Sequence, residues 1–252
     1  MKFLILIPAR YQSSRFPGKP LARIGGREMI LRVCDRVSQT GYATAVATDS
    51  EKIAECVRRA GYEVVMTSEE CGSGTERVAE AYRTLGSDAD VVINVQGDEP
   101  FIAVSQIEAL AKIFVEHPDT DIATLVRPYE AAGGISGLED PNLVKVVVGN
   151  NGEALYFSRT VIPYQRGVEK DKWPETHRYL SHIGIYAYRA AVLEKIVMLP
   201  EGALEKCEKL EQLRWLENGY SIHTAVSHEQ TIGIDTPADL EAAEKYLTGH
   251  NF

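Results

Sequence analysis

The stretch Phe3-Leu4-Ile5-Leu6-Ile7-Pro8-Ala9-Arg10-Tyr11-Gln12-Ser13-Ser14-Arg15-Phe16-Pro17-Gly18-Lys19-Pro20-Leu21 sets the pattern of the chain. Five apolar residues suited to a buried strand run into a long basic loop. Ile30, Val33, Cys34 and Val37 then recur at helical spacing. The pattern repeats. A strand-like run at 43–47 precedes Ile53, Val57 and Ala60, another at 63–66 precedes a helical pattern at 73–85, and a third at 90–95 precedes one at 104–115. Such alternation predicts βαβ units, a parallel sheet and right-handed crossovers. After Gly133 the rhythm changes. Residues 143–148 and 154–157 flank Gly149-Asn150-Asn151-Gly152, a hairpin signal. Residues 183–188 and 221–226 read as strands, 205–216 and 236–247 as helices, and 163–181 as polar and irregular. The expected fold is α/β, a Rossmann-like, mostly parallel sheet flanked by helices. It forms one domain over 1–252 with a smaller mixed insertion at about 130–200.

The net charge of −9 over 252 residues argues against a nucleic-acid binder, which normally presents a basic face. The charge is uneven, however. Residues 1–28 hold six Lys or Arg against Glu28 alone, a local +5 that leaves −14 elsewhere. A small polyanionic ligand would account for it. The apolar run at 3–7 is shorter than the ~7–15 residues of a signal-peptide core. No stretch reaches the ~18–20 apolar residues that span a bilayer. Cys34, Cys56, Cys71 and Cys207 form no C-x-x-C pair. Cys34 and Cys56 fall in helical patterns as core thiols, and Cys71 in a loop. A soluble, cytoplasmic protein is expected.

Ligands of open α/β sheets bind outside the carboxyl ends of the strands, which is where the basic loop falls. A Walker A loop requires G-x-x-x-x-G-K-[ST]. Here Ser13 stands in place of its first glycine, and Pro20 in place of its Ser/Thr. No G-x-G-x-x-G follows the strand either. What remains is Arg10, Arg15 and Lys19 on a proline-stiffened loop. These side chains suit the oxygens of a triphosphate. Asp98, at the end of strand 90–95, is a hard oxygen ligand suited to Mg²⁺. Asp235 precedes Thr236, an N-cap with Pro237 at the first helical position. It either supports that helix start or shares the metal. Ser73 to Glu76 matches a capping box, and the same glycine-flanked helix start could offer N–H groups to a nucleotide.

Together these segments resemble the sugar-acid cytidylyltransferases, most closely the CMP-Kdo synthetases. The likeness rests on PARYQSSRFPGKPL (8–21), ATD (47–49), SGTER (73–77), NVQGDEP (94–100) and DPNLVKVV (140–147). It continues through ALYFSRTVIP (154–163), HIGIYAYR (182–189), LEQLR (210–214) and GIDTPADL (233–240). The resemblance implies a glycosyltransferase-A-like nucleotide-diphospho-sugar transferase fold, Mg²⁺ dependence and a homodimer. It implies the reaction CTP plus the sugar acid Kdo (3-deoxy-D-manno-octulosonate) to CMP-Kdo plus pyrophosphate, in lipopolysaccharide synthesis. 8-Amino-Kdo and sialic acid are the alternative substrates. Pro8, Ala9, Arg10, Arg15, Lys19, Ser73, Thr75, Arg77 and Gln96 fall on the nucleotide side, and Arg10, Lys19, Asp98 and Asp235 in catalysis. Asp98 and Asp235 match the magnesium carboxylates. Gln96, Arg159, His182, Tyr186, Glu211 and Gln212 match the sugar side. Cys71 stands where many relatives have histidine, and Ser50 replaces an acid often found after ATD. Two other classes stand against this reading. A nucleotide-binding module without catalysis would not need both acids. A glycosyltransferase using a finished sugar nucleotide would normally want a D-x-D element, and Gln96-Gly97-Asp98 has only its last acid.

Overall fold

The computed structural model describes the chain apart from residues 13–15, 230–232, 235 and 250–252. Arg15 and Asp235, both expected in the site, therefore lie outside the described residues. The chain divides into two compact units. One is Met1–Glu108 with Glu229–Phe252, the other Ala109–His228.

The first unit is built on β1 (Phe3–Ala9), whose residues Leu4, Ile5, Leu6 and Ile7 are all buried. A strand buried on both faces reads as a continuous apolar run, as this one does. A short antiparallel pair, β2 (Arg23–Ile24) and β3 (Arg27–Glu28), follows the basic loop. Gly25 and Gly26 turn it with φ of 53° and 76°, a left-handed pair that glycine adopts without steric cost.

Next come α1 (Met29–Ser38), β4 (Ala43–Thr48), α2 (Glu51–Arg59), β5 (Glu63–Met66), α3 (Gly74–Leu85) and β6 (Val91–Asn94). The sheet order is β6-β1-β4-β5, every neighbour parallel. α1 buries the stripe its spacing predicts, with Cys34 in it, and α2 buries Ile53, Cys56 and Val57, but Ala60 is the exposed C-cap of α2. α4 (Val104–Glu116) carries the chain out of this unit, with Ile107, Leu110, Ala111 and Phe114 all buried.

The second unit is mixed. β7 (Ile122–Pro128) precedes α5 (Gly134–Leu138). β8 (Lys145–Val148) and β9 (Ala154–Ser158) form the expected hairpin. After α6 (Trp173–Thr176), β10 (Leu180–Arg189) lies antiparallel to β7, with an irregular register between Ile183 and Tyr186. α7 (Ala190–Ile196), α8 (Ala203–Glu208), α9 (Gln212–Glu217) and β11 (Ile222–Val226) complete it, β11 parallel to β7. The helix expected over 205–216 is two helices. Lys209 takes a left-handed φ of 53° and ends α8, so Glu211 is the N-cap of α9 rather than a mid-helix residue. The irregular stretch 163–181 carries α6. Its Trp173 is buried against Leu138 and Tyr179, in a core role.

The chain returns to the first unit through α10 (Pro237–Gly249). Leu240, Ala243 and Tyr246 pack on Ile24, Met29, Phe101 and Ile234. The expected cap is present: Thr236 Oγ1 accepts from the Asp239 N–H at 3.3 Å, and Asp239 Oδ2 accepts from the Thr236 N–H at 2.8 Å. Among the described residues, no helix is long and apolar enough to cross a membrane.

Candidate active site

A cavity of about 260 Å³ opens beyond the carboxyl ends of β1 and β6. Pro8, Ala9 and Arg10 form one wall, Gln96, Gly97 and Asp98 another, and Ser73, Gly74 and Arg77 of the α3 start a third. β1 and β6 are paired in parallel, so the segments that follow them emerge side by side. Gly97 is required by that closeness: a Cβ there would lie 2.9 Å from the Pro8 carbonyl oxygen.

The basic loop folds back on itself. The Gly18 N–H donates to the Tyr11 carbonyl at 2.9 Å, and residues 19–21 make one 3₁₀ turn. That turn places Lys19 Nζ 2.6 Å from Asp98 Oδ2, in a half-buried ion pair. Arg10 is exposed at the rim and also lines a second cavity of about 480 Å³, with Asp49, Lys52 and Cys71. The other described basic residues of this stretch pair elsewhere: Lys2 with Asp88, Arg23 with Glu28 and Arg27 with Asp35. Of the basic residues at 1–28 that are described, Arg10 and Lys19 alone line the cavity.

The start of α3 is capped as its sequence predicts. Ser73 Oγ accepts from the Glu76 N–H at 3.2 Å, and Glu76 Oε2 accepts from the Gly72 N–H at 2.7 Å. A helix N-terminus at a cavity wall favours an anion or a polar acceptor. Thr75 is buried and is not part of the lining. Gln96 lines the cavity, its amide donating to Asn94 Oδ1 at 3.1 Å. Arg77 is buried: it donates to Thr67 Oγ1 at 2.5 Å and to Asp49 Oδ2 at 2.6 Å. Neither partner was expected from spacing, because the contact exists only once β4, β5 and α3 are packed together.

The loop before α3 is held by Glu80. It accepts from the Ser68 N–H at 2.7 Å and from the Cys71 thiol at 3.0 Å. Burial first, and then this bond to Glu80, push the Cys71 thiol up to about 11. Cys71 is therefore a poor nucleophile at neutral pH.

In the second unit, four of the expected sugar-side residues gather around β10 and α9. His182 lies 5.3 Å from Tyr186 between ring centroids, and Tyr186 stands edge-on to Trp215 at 5.1 Å. Desolvation brings the His182 imidazole down to about 3. The Thr124 hydroxyl donates to the Ile185 carbonyl at 2.8 Å and lies 2.9 Å from His182 Nε2. A neutral His182 with its proton on Nε2 satisfies both contacts.

Desolvation, and then the charges of Tyr188 and Glu211, raise the Tyr186 phenol well above its ordinary value. Gln212 is buried, and among the described residues its amide nitrogen has no hydrogen-bond partner. An orphaned buried donor is costly unless something supplies an acceptor. Arg159 is placed differently. Its guanidinium donates to the carbonyls of Glu208, Pro141 and Lys209 at 2.6, 2.8 and 3.3 Å. It borders a separate cavity with Tyr164 and Trp173.

A family-wide pattern described as Cytidylyltransferase matches residues 4–226. The chain belongs to the cytidylyltransferase family. A 3-deoxy-manno-octulosonate cytidylyltransferase of Phocaeicola vulgatus is 55% identical over 98% of both chains. One of Bacteroides thetaiotaomicron is 53% identical over the same share. A solved CMP:2-keto-3-deoxy-manno-octonic acid synthetase complexed with CTP superposes with a TM-score of 0.90 at 41% identity, covering 99% of each chain. A putative glucose-1-phosphate thymidylyltransferase of Bacillus anthracis, at 17% identity and a TM-score of 0.67, shares the fold alone. The nucleotidyltransferase fold expected from the sequence is thus the one found.

Proposed function

We propose that the protein is a 3-deoxy-manno-octulosonate cytidylyltransferase. CTP and Kdo give CMP-Kdo and pyrophosphate, a step that serves lipopolysaccharide synthesis. The observation that carries this reading is the near-complete superposition on a CTP-bound synthetase at 41% identity. The cavity at the end of β1 supports it from the chemistry of its walls.

The Kdo anomeric hydroxyl attacks the α-phosphorus of CTP in line, and pyrophosphate leaves. The new P–O bond replaces the bond to the leaving oxygen, so no covalent enzyme intermediate is needed. Catalysis then consists of positioning and charge stabilisation. Arg10 and Lys19, with Arg15, offset charge on the departing pyrophosphate, and the α3 N-terminus and Arg77 hold the nucleoside side. In the second unit, His182, Tyr186, Glu211 and Gln212 take the sugar acid. The unpartnered Gln212 amide suits a hydroxyl or carboxylate oxygen. Arg159, fixed by its bonds to three carbonyls, has donors left for the sugar's carboxylate.

The donor set fits Mg²⁺, which is usually held by one or two carboxylates together with substrate phosphates. Asp98 supplies one carboxylate at the cavity wall. Ile234, the residue before Asp235, donates its N–H to the Asp98 carbonyl at 3.1 Å, which supports Asp235 as the second. When bound, the ion would neutralise phosphate charge and lower the pKa of an oxygen it contacts. All four cysteines are free, which favours a cytoplasmic protein, and the resemblance supports a homodimer.

The test is pyrophosphate release from CTP and Mg²⁺ with Kdo, 8-amino-Kdo and sialic acid supplied singly. Kdo should give the highest kcat/KM. Release favouring another sugar acid would reassign the substrate, and release with none would overturn the reading.

A further inference from the structure

We propose that Asp49 is a positioning residue for the nucleotide, acting through the guanidinium of Arg77. The inference rests on the assignment of the first unit to CTP. Its starting point is the register of the sheet. Thr48 of β4 pairs with Met66 of β5, so the residues that follow, Asp49 and Thr67, leave the sheet side by side. The Thr67 N–H donates to the Thr48 carbonyl at 2.9 Å and fixes that exit. Arg77, in the first turn of α3, reaches both side chains. Its own side chain is 4% exposed and that of Asp49 14%.

Packing alone does not explain the pair. Replacing a buried ion pair by apolar groups of similar volume is often neutral or stabilising, so stability is a weak reason to keep one. Location supplies a better reason. Arg77 borders both cavities of the first unit, whereas Asp49 borders only the second. Asp49 therefore acts on the main cavity through Arg77.

A guanidinium carries five N–H donors in a rigid plane. Thr67 and Asp49 hold one terminal nitrogen each, which fixes the orientation of that plane. Its remaining donors then have set directions at the cavity wall. Such donors suit the carbonyl oxygen and ring nitrogen of a pyrimidine, or ribose oxygens. Asp49 also neutralises the charge of Arg77. Arg77 thus offers direction rather than net charge, and the exposed Arg10 is left to meet the phosphates.

The experiment compares Asp49→Asn, Thr67→Val and Thr67→Ser with the wild-type protein. It measures kcat, the KM values for CTP and Kdo, the calorimetric Kd for CTP and the thermal midpoint. For Asp49→Asn, the KM and Kd for CTP should rise about tenfold or more, the scale on which misplaced positioning groups act. Its kcat should hold within about threefold and its KM for Kdo should not change, as for lost uniform binding. Thr67→Val should move in the same direction by less, and Thr67→Ser should stay near wild type.

An unchanged KM for CTP in Asp49→Asn overturns the proposal. So does a loss in kcat and in the use of both substrates alongside a lowered thermal midpoint, which marks a structural role. Should Asp49→Asn fail to fold, the Thr67 pair decides: equal CTP affinity in Val and Ser variants overturns it. Wild-type protein that binds no CTP would instead refute the underlying assignment.

Discussion

The two units offer opposite surroundings to the ligands proposed for them. The first presents charge at an open cavity: Arg10 exposed, Lys19 on Asp98, and a capped helix start. The second presents a desolvated cluster of aromatic and amide groups, where His182 is held neutral and Tyr186 stays protonated. A triphosphate is bound through charge, and its site can stay wet. A sugar acid offers many hydroxyls and one charge. It is better read by fixed, neutral donors and acceptors whose errors are costly. The comparison teaches that the basic surplus at the N-terminus marks only the first of these candidate sites.

The largest effect should come from Asp98. Asp98→Asn keeps the shape and removes the charge, and kcat should fall by at least ~10²–10³, the scale for losing one transition-state contact. Near-normal turnover at saturating Mg²⁺ would break the charge-based account of the first unit. Lys19→Ala should lower kcat and kcat/KM for CTP about tenfold or more, as losing a contact to the leaving group does, while the KM for Kdo holds. Equal effects on both substrates would blur the division between the units.

Gly97→Ala should lower the thermal midpoint by several degrees, about what ~1–3 kcal/mol of crowding produces in a chain of this size. The cause is the 2.9 Å approach of a Cβ to the Pro8 carbonyl. Circular dichroism melting would check it, and an unchanged midpoint would show that β1 and β6 can spread.

The smallest effect sharpens the comparison from the second unit. His182 has a folded pKa of about 3 against an ordinary 6.5. Between those values the unfolded chain binds a proton that the folded one does not. Stability from this group is therefore present above about 6.5 and is lost as pH falls towards 3. His182→Gln should flatten the fall of the thermal midpoint over that window, and an unaltered slope would contradict the burial of a neutral imidazole.

Much of the first unit was legible in the sequence because its signals are local. The apolar run at 3–7 became β1, and Ser73 and Thr236 became caps. The place of the basic loop beside a cavity was also legible, since a strand end is where such folds bind ligands. What could not be read depended on packing between distant segments. Arg77 resembled any nucleotide-side cation until β4 and β5 placed Asp49 and Thr67 against it. Arg159 had the right residue type for a carboxylate, but its bonds to the carbonyls of Pro141, Glu208 and Lys209 could not be foreseen. The break at Lys209 was hidden because lysine carries no signal for a left-handed φ, and the apolar spacing continued across it. His182 and Gln212 owe their properties to burial, which a strand or helix pattern alone does not reveal.

The most direct test of the account is to identify the product. Wild-type protein, CTP, Kdo and Mg²⁺ should be followed by ³¹P NMR. The account predicts that the CTP resonances decay into equal amounts of a sugar phosphodiester and free pyrophosphate. Persistent CTP, or cleavage to CDP and phosphate, would contradict it.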